Sequence, residues 1–187
     1  CQLSISWSQY DQSLNTARLI ASGGQDQILY SPEALFSNPA GLLLGNSSIV
    51  VILNYVNRYN TDIRSASAGV SWKNDRQGIG LLIGNYGIDG FRQNQVSAAY
   101  AKKLFKGTRL GIQVNYYNLQ IQDFGSRTNF DLSVGVQHDF SETISTGFYL
   151  VNPFSETLSN QISGGIGFSI LGKITDALSV YSSVFRD

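Results

Sequence analysis

Phe130-Asp131-Leu132-Ser133-Val134-Gly135-Val136-Gln137-His138-Asp139-Phe140 is the stretch that decides the fold. Every second residue, from Phe130 through Leu132, Val134 and Val136 to His138 and Phe140, is bulky and mostly apolar. The intervening set, Asn129, Asp131, Ser133, Gly135 and Gln137, is small or polar. A period of two marks a strand whose two faces meet different surroundings. A water-soluble sheet turns its large side chains inward and displays Lys, Glu and Thr. Here the polar face carries almost no mid-strand charge. That fits a narrow interior filled by small side chains and an exterior facing lipid.

The alternation recurs outward in both directions. Leu110, Ile112 and Val114 oppose Gly111, Gln113 and Asn115, and Ile79, Leu81 and Ile83 oppose Gly78, Gly80 and Gly84. Ile162, Ile166, Phe168 and Ile170 oppose Gln161, Ser163, Gly165, Gly167 and Ser169. The strand segments read from this pattern are Ser48–Tyr59, Asp62–Lys73, Arg76–Tyr86, Phe91–Leu104, Thr108–Ile121, Arg127–Phe140, Thr143–Phe154, Leu158–Ile170 and, less regularly, Ile174–Phe185. The expected fold is all-β, an antiparallel transmembrane β-barrel of about eight to ten strands with an irregular N-terminal segment. Eight is the simplest number. The chain divides into a periplasmic or plug segment, 1–47, and the barrel, 48–187.

Composition agrees. Charged residues make up 14% of the 187, with 13 basic against 13 acidic, well below the roughly 25% of soluble domains. No basic excess exists to bind nucleic acid. Mean hydropathy is −0.06, as expected when lipid-facing and lumen-facing residues alternate. Nearly all Lys, Arg, Asp and Glu fall in turns or at strand ends. A mid-bilayer Lys or Arg would cost about 2–4 kcal/mol.

Connectors around Asn74–Asp75, Lys106–Gly107, Ser141–Glu142 and Gly172–Lys173 read as tight. Those around Gly87–Gly90, Asp123–Ser126 and Ser155–Glu156 read as longer. Outer-membrane barrels have short periplasmic turns, so the first strand is expected to run outward from the periplasm. Trp72, Tyr86, Tyr100, Tyr116, Tyr117, Phe130, Phe140, Phe148 and Phe154 lie toward segment ends, as interfacial girdles do. Nine strands would leave the termini on opposite sides, whereas single-chain bacterial barrels are even-numbered. Either Leu3–Tyr10, with Leu3, Ile5 and Trp7 alternating with serines, supplies another strand, or one segment is not a strand.

Residues Asp11–Gly45 lack alternation and contain Gly23-Gly24, Pro32 and Pro39. They include Ser31-Pro32-Glu33-Ala34-Leu35-Phe36-Ser37 and then Asn38-Pro39-Ala40-Gly41-Leu42. Asn38-Pro39 favours a turn, because a residue before proline is driven out of the helical region. Gly41 would allow close packing against the barrel wall. A Gly-rich turn, a spacer and Asn-Pro-Ala-Gly-Leu ahead of the first strand resembles FadL/PorV-type outer-membrane barrels. The turns Lys102–Gly111 and Leu171–Leu178 resemble that group too. The resemblance implies one of two roles: carriage of hydrophobic molecules past an N-terminal hatch, or an accessory barrel of protein-secretion machinery in Bacteroidetes-type bacteria. Group members carry about fourteen strands, and this chain is roughly half that size. A narrow, filled barrel leaves little lumen. The expectation is therefore a multi-pass outer-membrane adaptor whose partners are a larger outer-membrane complex and membrane lipid. Gly164, a small residue on the bulky face of its segment, would let a partner approach.

Candidate chemistry is sparse. Cys1 has no signal ahead of it, reads as the first residue of a mature form, and fits either lipidation or an ordinary residue at a cleavage point. His138, the only histidine, has Ser141 and Glu142 nearby, a set that invites comparison with the lipid A deacylases of outer membranes. Those two fall in a turn, however, and an interfacial histidine is the default. Asp123, Asp131, Asp139 and Glu142 do not converge as metal ligands do. The lumen-side set Gln95, Gln113, Asn115, Asn129, Asp131 and Gln161 reads as a hydrogen-bonded core network. No catalytic residue, metal site or cofactor is expected.

Overall fold

The computed structural model describes residues 33–57, 62–153, 164–174 and 179–186. Cys1, Leu3–Tyr10, Gly23-Gly24, Phe154, Ser155–Glu156 and Gln161–Ser163 lie outside them. The fold is all-β. Among the described residues nine strands form one antiparallel sheet in sequence order. They are β1 (Ile49–Asn57), β2 (Arg64–Lys73), β3 (Gln77–Ile88), β4 (Phe91–Phe105), β5 (Thr108–Ile121), β6 (Gly125–Asp139), β7 (Ile144–Val151), β8 (Gly165–Lys173) and β9 (Ser179–Arg186). Each of the nine expected segments contains a strand among the described residues, a number within the eight to ten expected. Among the described residues no ladder joins β1 to β9.

Several boundaries differ from the sequence reading. Gly87 and Ile88 belong to β3, and Gly125 and Ser126 to β6, so the connectors there shrink to residues 89–90 and 122–124. Gly172 and Lys173 belong to β8, and the next connector starts at Ile174. The expected alternation of short and long connectors is thus only partial. Glycine looks like punctuation in a sequence, yet here it serves as a strand residue with no side chain. Gly164 precedes β8 rather than interrupting its bulky face.

Below, the lower end is where β1 begins and where 74–76, 106–107 and 140–143 turn; the upper end is opposite. The two faces separate as the alternation requires. Leu53 (79% exposed), Leu81, Ile83, Val114, Phe130 and Ile166 point outward. Ser71, Ser97, Gln113, Asn115, Asp131, Ser133 and Gln137 point inward and are buried. Trp72, Tyr100 and Phe140 lie outward near the lower end, and Phe130 lies outward near the upper end, its ring 5.1 Å from that of Tyr116. Tyr86 and Tyr117 are corrections to the girdle. Both share the parity of buried inner residues and pack inside, Tyr86 against the Leu35–Leu82 cluster and Tyr117 beside Leu119.

What buries the lower half of the inner face is the segment preceding β1. It forms two short 3-10 turns, Glu33–Phe36 and Pro39–Leu43. The second touches β2, β3, β4, β5 and β6. Five neighbouring strands span about 19 Å at 4.8 Å spacing. A five-residue 3-10 turn is only about 10 Å long. It can reach all five strands only if the sheet curls around it into a trough.

Candidate functional site

Register shows why the segment fits. At the lower end of the inner face Gly78 pairs with Ala101, Ala101 with Gly111, and Gly111 with Gly135. One level higher run Ser71, Gly80, Ala99, Gln113 and Ser133. The first row has no side chain larger than a methyl group, so it is a shelf on which another backbone can lie. A Cβ on Gly111 would stand 2.3 Å from the Ala40 nitrogen, and one on Gly135 only 1.8 Å from Asn38 Oδ1. The wall thus has its own requirement for glycine at Gly111 and Gly135, opposite the segment in which close approach was expected of Gly41.

Asn38 is the anchor. It is extended (φ −95, ψ 109), as the following proline demands, and caps the second turn by accepting from the Ala40 N–H at 3.0 Å. Its amide nitrogen donates to Val136 O at 3.2 Å and to Phe148 O at 3.1 Å. Those two residues face each other across β6 and β7. Both donors and the acceptor of the amide are therefore used, which a buried side chain requires. Pro39, Ala40, Gly41 and Leu42 follow in the shelf, all buried. The five motif residues Asn38–Leu42 are thus brought to one place, at the centre of the trough.

A polar relay continues upward. Gln113 Nε2 donates to Leu35 O at 3.0 Å and to Asn115 Oδ1 at 2.8 Å. Asn115 Nδ2 donates to Asp131 Oδ1 at 2.6 Å, and Ser133 Oγ donates to the same oxygen at 3.4 Å. Tyr117 also hydrogen-bonds Asp131, and Tyr149 hydrogen-bonds Ser133. Gln95 Nε2 donates to Ser97 Oγ at 2.9 Å, and Asn129 is buried at the same level. Of the described members of the lumen-side set, Gln113, Asn115, Asn129 and Asp131 are therefore core residues, and Gln95 is half-buried. Above them the inner face closes on its own side chains, with Leu119 packed by Phe91, Tyr117 and Ile121.

The lower mouth holds the charge. Lys73 Nζ donates to Leu43 O at 3.1 Å and also to Gly45 O, clipping the segment's exit to the end of β2. Arg109 makes a bidentate pair with Asp139 at 2.7 and 2.8 Å, and Asp139 accepts from Ser145 Oγ at 2.8 Å. A cleft of about 510 Å³ opens there.

The structure does not assemble His138 with Ser141 and Glu142. His138 Nδ1 is 2.7 Å from Thr108 Oγ1, and its ring packs edge-on to Phe140. Ser141 Oγ accepts from the Thr143 and Ile144 N–H groups, stapling its turn. Among the described residues no three His, Cys, Asp or Glu side chains gather as a metal site.

Lys73, Arg109, Tyr149 and the Gly78–Gly135 row were missed in the sequence. Glycines at the inner parity of successive strands were the available signal. Compared with known proteins, the chain matches no family model, no curated protein and no solved structure.

Proposed function

We propose that this chain is a non-enzymatic outer-membrane β-barrel acting as an accessory or adaptor subunit of a larger outer-membrane complex for protein secretion or assembly. The observation that carries this reading is the filled trough. Ala34, Leu35, Asn38, Ala40 and Leu42 are each at most 1% exposed, so the lower half of the inner face is wall rather than channel. The outer face supports a lipid location, since water does not tolerate so extended an apolar surface. On such a wall a partner's strands replace lipid at little hydrophobic cost.

The adaptor is expected to co-purify stoichiometrically with a larger barrel from its native membrane. Its loss should impair protein export and leave fatty-acid uptake unchanged. The second reading is a hydrophobic-ligand carrier with the 33–44 segment as a movable hatch. The apolar upper inner face at Phe91, Leu119 and Ile121 favours it. Purification alone, with a lipid-like molecule inside, would replace the adaptor with the carrier. Orientation has its own test. Cysteines introduced at Asp89 and Asp123, on upper connectors, should be labelled on intact cells, and those at Asp75 and Lys106 should be shielded.

A further inference from the structure

We propose that the cleft at the lower mouth of the trough is a binding site for a phosphate group, a site independent of the adaptor reading. Its walls bring Lys73, Lys103 and Arg109 together against a single lining carboxylate, Asp75. Counting Asp139 behind Arg109, three positive charges meet two negative ones, a surplus of one in a recess where a single sign is focused. The surplus belongs to a wider asymmetry. All five lysines of the chain, Lys73, Lys102, Lys103, Lys106 and Lys173, lie at lower strand ends or in a lower turn. The upper ends of the described strands carry arginine instead, at Arg64, Arg92, Arg127 and Arg186.

The polar groups in the cleft are mostly donors. Lys103 has no ion-pair partner among the described residues. Lys73 spends two of its three protons on Leu43 O and Gly45 O and keeps one. Asn74 Oδ1 accepts from the Arg76 and Gln77 N–H groups, each at 2.9 Å. That fixes the amide so that its NH2 is the half left over. Arg109 is held rigid by Asp139, and its buried Nε has no acceptor among the described residues. A recess rich in donors, with one lining carboxylate, suits an oxyanion and repels a metal ion. The space exceeds that of bare phosphate, so a phosphate ester fits. The ester is either a soluble molecule or the headgroup of a phospholipid at the membrane edge. Because Leu43, Asn46 and Ser48 also line the cleft, an occupant would bridge the inserted segment to β2, β4 and β5.

The test uses the full chain. In micelles of neutral detergent, inorganic phosphate is titrated by calorimetry. In nanodiscs, retention of phosphatidylglycerol over phosphatidylcholine is read by native mass spectrometry. Saturable phosphate binding in micelles identifies a soluble source, and retention confined to nanodiscs identifies the lipid. In either case Lys103→Gln should weaken binding at least about tenfold, the loss of one charge-assisted hydrogen bond. Lys103→Arg should retain it, Lys106→Gln on the neighbouring turn should leave it unchanged, and added salt should weaken it. Absence of binding in both settings overturns the proposal, and so does binding that Lys103→Gln leaves intact.

Discussion

The lower and upper halves of the inner face solve one problem in two ways. A narrow interior must be filled without voids. In the upper half the strands fill it themselves, with Tyr86, Gln93 and Leu119 in one row and Gln95, Tyr117 and Asn129 in the next. In the lower half the strands withdraw to Gly78, Ala101, Gly111 and Gly135, and a separate stretch of chain occupies the space. The difference teaches that small inward residues need not mean a tight barrel. They also mark where something else is meant to lie. The upper filling is inseparable from its strands, whereas the lower filling is held by a few named contacts and can be released by breaking them.

The largest effect is expected from Asn38→Asp. A carboxylate would keep the Ala40 N–H but face the Val136 and Phe148 carbonyl oxygens with no donor to offer, a buried charge with no cation beside it. The cost is about 3–5 kcal/mol. Urea unfolding should show the loss, and protease should cut within 33–44 before the strands are touched. Leu119→Ala, in the upper half, should cost about 2–4 kcal/mol through the cavity it leaves. Its unfolding should shift without early cleavage of 33–44. If both variants expose the segment equally, the two halves are one cooperative unit and the comparison breaks. Gly111→Ala should cost about 1–3 kcal/mol by overpacking and should share the protease pattern of Asn38→Asp. The smallest effect is expected at Gly78→Ala, below about 1 kcal/mol. A Cβ there would stand 3.3 Å from Leu43 Cδ2, the end of a flexible side chain, 3.3 Å from Lys73 Cβ and 3.4 Å from Trp72 O, tight contacts but none as short as those at Gly111 and Gly135. Gly78→Ala therefore sharpens the claim that the shelf is read by backbone at its centre and by side chain at its margin.

The faces were legible because alternation is local. Each strand of the sheet declares its own inside, and β5 was delimited at Thr108–Ile121 from pattern alone. Tyr86 and Tyr117 lie near strand ends as girdle residues do, but their parity puts them with Gly84 and Asn115 on the inner face. The shelf was not legible. Gly78, Ala101, Gly111 and Gly135 become one row only when register is known, and their shared partner lies far away in sequence. Asn38 reaches Val136 across 98 positions. The sequence reading of Asn38-Pro39 found the turn, which is a property of two residues. It could not find the two carbonyl groups that the side chain grips.

The same dipeptide bears on how the molecule ages. Asparagine in a flexible chain converts slowly to aspartate when the next residue's backbone nitrogen loses its proton and attacks the side-chain carbonyl. Proline carries no proton on that nitrogen, so Pro39 closes this route at Asn38. The protein has thus placed the amide that anchors its inserted segment beside the one residue that protects it from spontaneous hydrolysis by ring closure. Old and new copies should hold their inserted segment equally well.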